Sequence, residues 1–209
     1  MRSDLRKLAA LLFSILVFAP VMAHAQARSA YTELNPPLQV EAGGKIEVLE
    51  FFWYGCIHCY NLEPVLGTWL KKLPAEAQFR RVPAIFNERW AHDATIFYTF
   101  EVLGVLDKVH RPFFDAIHRE RLRTDDPKAL AEWLQKQGLD SQKFVETMKS
   151  FGVQSKTRRA AMMTNAYKID GTPAMAVHGR YTVSAEQGRT FEGMLQTVSG
   201  LLDQLRKKK

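Results

Sequence analysis

The chain has only two cysteines, Cys56 and Cys59, and they stand three positions apart where a strand pattern gives way to a helical one. A disulfide at that spacing closes a loop of a few residues, so it contributes little entropic stabilisation. A stapled secreted scaffold would spread four or more cysteines along the chain. The fold must therefore rest on an ordinary hydrophobic core. The 46% hydrophobic and 24% charged content suits that, and 209 residues give room for one domain or a domain with a sizeable insertion.

Around the cysteines the pattern is explicit. Ile46–Phe52, IEVLEFF, follows Gly43-Gly44 and reads as a central strand buried on both faces. Cys56 to Leu73 reads as a helix, with Leu62, Val65, Leu66, Trp69 and Leu70 at helical spacing. Pro64 lies inside that helix and predicts a kink or a split, and Pro74 ends it. Phe79–Ile85 reads as a second strand, which gives a β-α-β start with the CxxC at the first strand-to-helix junction.

Helical signals dominate from about Ala91 to Lys168. Ile96, Phe97, Phe100, Leu103 and Leu106 form one apolar stripe. Asp126-Pro127 reads as an N-cap with proline at the first helical position, and Gly138 closes that helix. Ser141 is expected to cap another helix with Phe144, Val145 and Met148 inward, and Thr157–Lys168 supplies one more. Ala174–Val177 and Arg180–Val183 read as a hairpin turning at His178-Gly179. A last amphipathic helix covers Ala185 to Leu205.

The first residues read as an address. Arg2, Arg6 and Lys7 precede an apolar run from Leu8 to Val21, and Ala23-His24-Ala25 offers a small-x-small cleavage site. A transmembrane anchor is the alternative, but the run is about 14 residues against the roughly 20 needed to span a bilayer. Residues 1–25 are thus expected to be a cleaved signal peptide, with Gln26 the first mature residue. Cleavage takes the formal charge from +7 to +5. The short clusters Arg80-Arg81, Arg158-Arg159 and Lys207-Lys208-Lys209 lack interleaved aromatics and read as solvated faces and a tail, so no nucleic-acid partner is expected.

Cys56-Ile57-His58-Cys59 at the start of a helix is suited to redox chemistry. The first N–H groups of a helix are unsatisfied and its dipole is positive there, so a Cys56 thiolate is stabilised. Cys59 lies one turn on, on the same face, within reach for a disulfide. His58 can offer a hydrogen bond or positive charge to the thiolate. An inert disulfide and a zinc site are the alternatives, but zinc wants about four ligands and only Cys56, Cys59 and His58 are local. Glu50, inside the apolar strand, is costly without a partner or a task, unless it reaches water at a strand edge.

Glu50-Phe-Phe-Trp-Tyr-Gly-Cys-Ile-His-Cys-Tyr60, with Gly171-Thr-Pro-Ala-Met-Ala-Val177, resembles the DsbA family of periplasmic thiol:disulfide interchange proteins. The resemblance covers nearly all of the mature chain. It implies an α/β thioredoxin fold built from residues 26–86 and 166–209, with an all-helical insertion at 87–165. It implies oxidation of folding exported proteins by the Cys56–Cys59 disulfide and reoxidation by a DsbB-type, quinone-linked inner-membrane partner. No bound cofactor or metal is needed, and the chain is expected to act as a periplasmic monomer. By the same resemblance Thr172-Pro173 is a substrate-binding loop with a cis bond, and Glu50 is the buried acid that moves protons near Cys59. Ile57 departs from the proline of the best-known members, in a dipeptide that tunes redox potential.

Glu63 and Arg81 are candidates for a charge relay around Glu50, and Trp53 and Tyr54 for an apolar peptide groove. His92, His110, His118 and His178 follow no ligand spacing and read as ordinary histidines. A disulfide isomerase or reductant on the same fold is the nearest rival; such isomerases usually add a dimerisation domain, and no segment before Ile46 is long enough for one. A non-catalytic peptide-binding chaperone is the rival from another class.

Overall fold

The computed structural model describes residues 29–207; the expected signal peptide and the last two lysines of the basic tail lie outside them. In chain order the elements are β1 (Thr32–Glu33), β2 (Ile46–Phe52), α1 (Ile57–Leu70), β3 (Ala77–Pro83), α2 (Glu88–Val102), α3 (Leu106–His118), α4 (Pro127–Lys136), α5 (Ser141–Met148), α6 (Phe151–Ala166), β4 (Ala174–Val177), β5 (Tyr181–Ser184), α7 (Ala185–Gly188) and α8 (Phe191–Arg206). The sheet order is β1-β5-β4-β2-β3, with β2 and β3 parallel and the other neighbours antiparallel. Among the described residues no helix is long and apolar enough to cross a membrane.

Every residue of β2 is buried, as its near-continuous apolar run requires. Alternation along the strand divides its side chains between two cores. Ile46 and Val48 pack with α1 and α8 residues such as Leu62, Leu66, Val198 and Leu202. Leu49 and Phe51 join the core shared with α2–α6, through residues such as Phe97, Phe100 and Phe113. The helical block between β3 and β4 therefore covers one face of the sheet, while α1 and α8 cover the other. This is the α/β thioredoxin arrangement with inserted helices that the family resemblance implied.

Several local readings are corrected. Pro64 does not split α1, which runs unbroken through it. The carbonyl that a residue at position 64 would have bonded is that of Tyr60, and it accepts from Arg111 Nη1 at 3.3 Å instead. The stripe from Ile96 to Leu106 spans two helices, because Gly104 turns the chain at φ +70° between α2 and α3. Asp140, not Ser141, caps α5, and Val145 is 44% exposed rather than inward. Helix α6 starts at Phe151 on a Ser150 cap, well before Thr157. The last helical run breaks at Arg189, with φ +62°, into α7 and α8. Arg80 and Arg81 are only partly solvated and are paired: on adjacent, oppositely facing positions of β3, Arg80 pairs with buried Glu47 at 2.9 Å and Arg81 with Glu50 at 3.1 Å.

Candidate active site

The strand-to-helix turn places Cys56 as the N-cap of α1, with extended backbone (φ −85°, ψ 114°). The backbone N–H of Cys59 donates to its sulfur at 3.4 Å, so the thiol occupies the place that a serine or aspartate oxygen takes in ordinary caps. The turn is closed by Cys56 N–H to Trp53 C=O at 3.0 Å. Gly55 is dictated by packing, since a Cβ there would sit 2.3 Å from the Trp53 indole. That indole is itself fixed: its N–H donates to buried Asp93 at 2.8 Å and its ring stacks on Trp90 at 4.3 Å.

Both cysteines are thiols in this structure, and their surroundings differ. The Cys56 thiol is pulled down from 9.0 to about 5. The hydrogen bond from the Cys59 thiol contributes most; partial burial opposes it, and the Thr172 side chain and the backbone N–H groups of Cys59 and His58 add to it. Cys59 is fully buried, and burial, then the neighbouring Cys56 sulfur and the Glu50 charge, push its thiol well above the ordinary value. At neutral pH the first sulfur is an anion and the second keeps its proton.

Thr172 and Pro173 arrive from the loop before β4. Their peptide bond is cis, and the Thr172 carbonyl lies 3.4 Å from the Cys56 sulfur, where it can accept from the S–H while that sulfur is protonated. His58 is close in sequence, but its ring is exposed and has no hydrogen bond among the described residues; only its backbone N–H acts on Cys56.

Glu50 is 1% exposed, on the α1 face of β2. Arg81 Nε lies 3.1 Å from its carboxylate but is not aligned for a hydrogen bond, and neither Glu50 oxygen has a hydrogen-bond partner. Burial therefore dominates: it pushes the carboxyl up to about 8 against the pull of Arg81. Arg81 is better engaged by Glu63, whose two oxygens accept from Nη2 at 3.0 and 3.1 Å.

The inserted helices also hold the motif, which no spacing in the sequence revealed. His118 Nε2 bonds the Tyr54 carbonyl at 2.8 Å, and its ring stacks on Tyr60. The Tyr60 hydroxyl donates to Asp115 at 2.7 Å, and the Arg111 guanidinium lies 4.3 Å over the Tyr60 ring. Tyr54 itself is buried, its hydroxyl 2.9 Å from Nδ1 of His110, so it is a core residue rather than a groove wall.

A family model described as "DSBA-like thioredoxin domain" matches residues 70–196. The chain is 42% identical over 200 residues to the thiol:disulfide interchange protein DsbA of Bordetella parapertussis, an alignment covering 95% of each. It belongs to the DSBA-like thioredoxin family. The DsbA of Azotobacter vinelandii is 41% identical over 84% of this chain and 82% of that one. Among solved structures of the family, Pseudomonas aeruginosa DsbA superposes with a TM-score of 0.82 at 37% identity, covering 86% of this chain and 94% of that one. The oxidoreductase DsbA from Xylella fastidiosa follows with a TM-score of 0.79 at 30% identity, over 85% and 95% of the two chains. The family model's match begins beyond Cys56 and Cys59, so the chemistry of this DSBA-like chain rests on the geometry of its own motif.

Proposed function

We infer that this chain is a protein dithiol–disulfide oxidoreductase that donates its Cys56–Cys59 disulfide to exported proteins as they fold. The observation that carries this reading is the placement of the two sulfurs: Cys56 caps the N-terminus of α1 and is partly exposed, while Cys59 one turn on is fully buried, which tunes their acidities in opposite directions. A substrate thiolate attacks the Cys56 sulfur of the disulfide form. The Cys56–Cys59 bond breaks, a substrate–Cys56 bond forms, and the electron pair leaves on Cys59. Glu50, protonated in its buried place, is the group we assign to give that sulfur a proton. A second substrate thiolate then attacks the substrate sulfur, and Cys56 departs as the stable thiolate. The substrate loses two electrons and the chain becomes the dithiol.

We assign Thr172 and Pro173 to hold the substrate backbone beside Cys56, and His58 to act through its N–H. Half-exposed Ile57 and the Trp53–Trp90–Phe86 cluster, with Phe86 44% exposed, supply apolar surface to an unfolded chain. Residues 1–25 are read as the export signal, the periplasm as the working compartment, and a DsbB-type quinone-linked membrane protein as the oxidant that restores the disulfide. The chain is read as a monomer of two parts, 26–86 with 166–209, and 87–165.

Equilibration with glutathione tests the reading. Because the stable thiolate favours the dithiol, Cys56–Cys59 is expected to be reduced by a small proportion of reduced glutathione. The isomerase or reductant alternative would keep its cysteines reduced in the working compartment, with a reductant's disulfide resisting far more reduced glutathione, and a chaperone requires no exchange at all.

A further inference from the structure

Two buried carboxylates, Glu50 and Glu63, share one guanidinium, Arg81, and the sharing is unequal. Nη2 of Arg81 reaches both oxygens of Glu63, while Glu50 has only the misaligned Nε. Something must favour the charge on Glu63. The remaining group facing it is His110 of α3, 6% exposed, whose Nε2 lies 3.5 Å from Glu63 Oε1 and, with no aligned hydrogen bond among the described residues, has that carboxylate as its nearest acceptor.

The surroundings of His110 assign its tautomer. Its ring packs edge-on against Phe52 and Phe114, and its Nδ1 lies 2.9 Å from the Tyr54 hydroxyl. If the hydroxyl donates to Nδ1, the ring proton sits on Nε2 and faces the Glu63 carboxylate. The other tautomer would aim a lone pair at that carboxylate and leave the buried hydroxyl proton without an acceptor. A second proton is disfavoured by burial and by Arg81, with Glu63 and Asp107 as the opposing charges. His110 is thus a neutral imidazole held by Tyr54, with its Nε2–H on the side of Glu63.

We propose that His110 is a positioning residue: by presenting its Nε2–H to Glu63 across 3.5 Å it keeps that carboxylate ionised and Arg81 turned towards it, which leaves Glu50 as the carboxyl that holds the proton beneath Cys59. Environments that push two carboxylates apart separate an acid from a permanent charge. The histidine comes from the inserted helices, so the insertion sets the protonation of the thioredoxin part. The proton-holding task rests on the exchange chemistry proposed above; the division of charge does not.

Carboxyl carbon-13 titration of the full mature chain, with Glu50 and Glu63 assigned through Glu50→Gln and Glu63→Gln, reads the division directly. In the parent the two midpoints should lie far apart, Glu50 high and Glu63 low. In His110→Phe, which fills the aromatic pocket without a donor, and in Tyr54→Phe, which releases the tautomer, the separation should shrink by about one unit. His110→Gln, which keeps an N–H donor, should restore it. An unchanged separation in folded His110→Phe or Tyr54→Phe would overturn the proposal, and so would a separation that His110→Gln fails to restore. Because this readout needs no disulfide exchange, a chain inert to glutathione would sink the oxidoreductase reading and leave the charge division to be judged on its own.

Discussion

Cys59→Ser is expected to turn the protein into a trap, with catalytic turnover of protein substrates falling to background while substrates accumulate on Cys56. The variant keeps the helix N-terminus, the backbone N–H of residue 59 and the Thr172 contact. A serine hydroxyl can also replace the thiol as donor to the Cys56 sulfur, so the thiolate persists and still attacks disulfides. What is lost is the second sulfur that expels the substrate. Cys56→Ser should behave oppositely: the remaining Cys59 is fully buried and its thiol is raised well above the ordinary value, so it should capture nothing. Non-reducing gels of both variants, expressed in cells and quenched in acid, decide the matter. Adducts on Cys56→Ser, or parental turnover by Cys59→Ser, would mean the roles are assigned wrongly.

The reduced protein should be more stable than the oxidised one at neutral pH, and the advantage should vanish in acid. A thiol whose folded value lies near 5 rather than 9.0 stabilises the fold by its ionised form. That contribution is complete above pH 9, declines as pH falls from 9 to 5, and is gone below 5. At pH 7 it is on the order of 2 kcal/mol after allowance for solvent screening of a partly exposed sulfur. The oxidised form has no thiolate and gains little from so short a covalent loop. Cys59, raised rather than lowered, acts in the opposite direction but only above the ordinary thiol range, outside this window. Urea melts of both forms at pH 7 and at pH 4.5 measure the difference. An oxidised form that is the more stable at pH 7 would make the disulfide a structural one.

Much of the fold was legible because its signals are local. The run Ile46–Phe52, the Asp126-Pro127 cap, Gly138 and the Ala174–Val177 hairpin each carry their own pattern, and their elements lie within a few residues of the expected places. What escaped reading lacked such a signal. β1 is two residues long and exists by pairing with β5. The start of α6 is hidden by Phe151, an apolar residue that is 82% exposed at the first helical position. In α5, Phe144 is buried in the core and Met148, one turn on, packs against it, so Val145 is left outside by helix geometry despite its type.

The site divides the same way. Cys56, Cys59 and Glu50 lie within ten residues on one strand-turn-helix unit, so spacing exposed them. Arg81 reaches Glu50 because β3 pairs with β2 in register, Glu50 opposite Arg81, a fact of topology rather than of spacing. His110, His118 and Asp115 come from α3, more than fifty residues from the cysteines, and only the packing of the insertion against α1 brings them in. His58, the residue nearest in sequence, contributes a backbone N–H and holds its ring in solvent.

The fold stabilises Cys56 as a thiolate, and the ultraviolet thiolate absorbance of the reduced protein, followed against pH, tests this most directly. One sulfur is expected to ionise with a midpoint near 5, and that step should be absent from Cys56→Ser and preserved in Cys59→Ser. A single rise near ~8.5, where free cysteine titrates, would contradict the account.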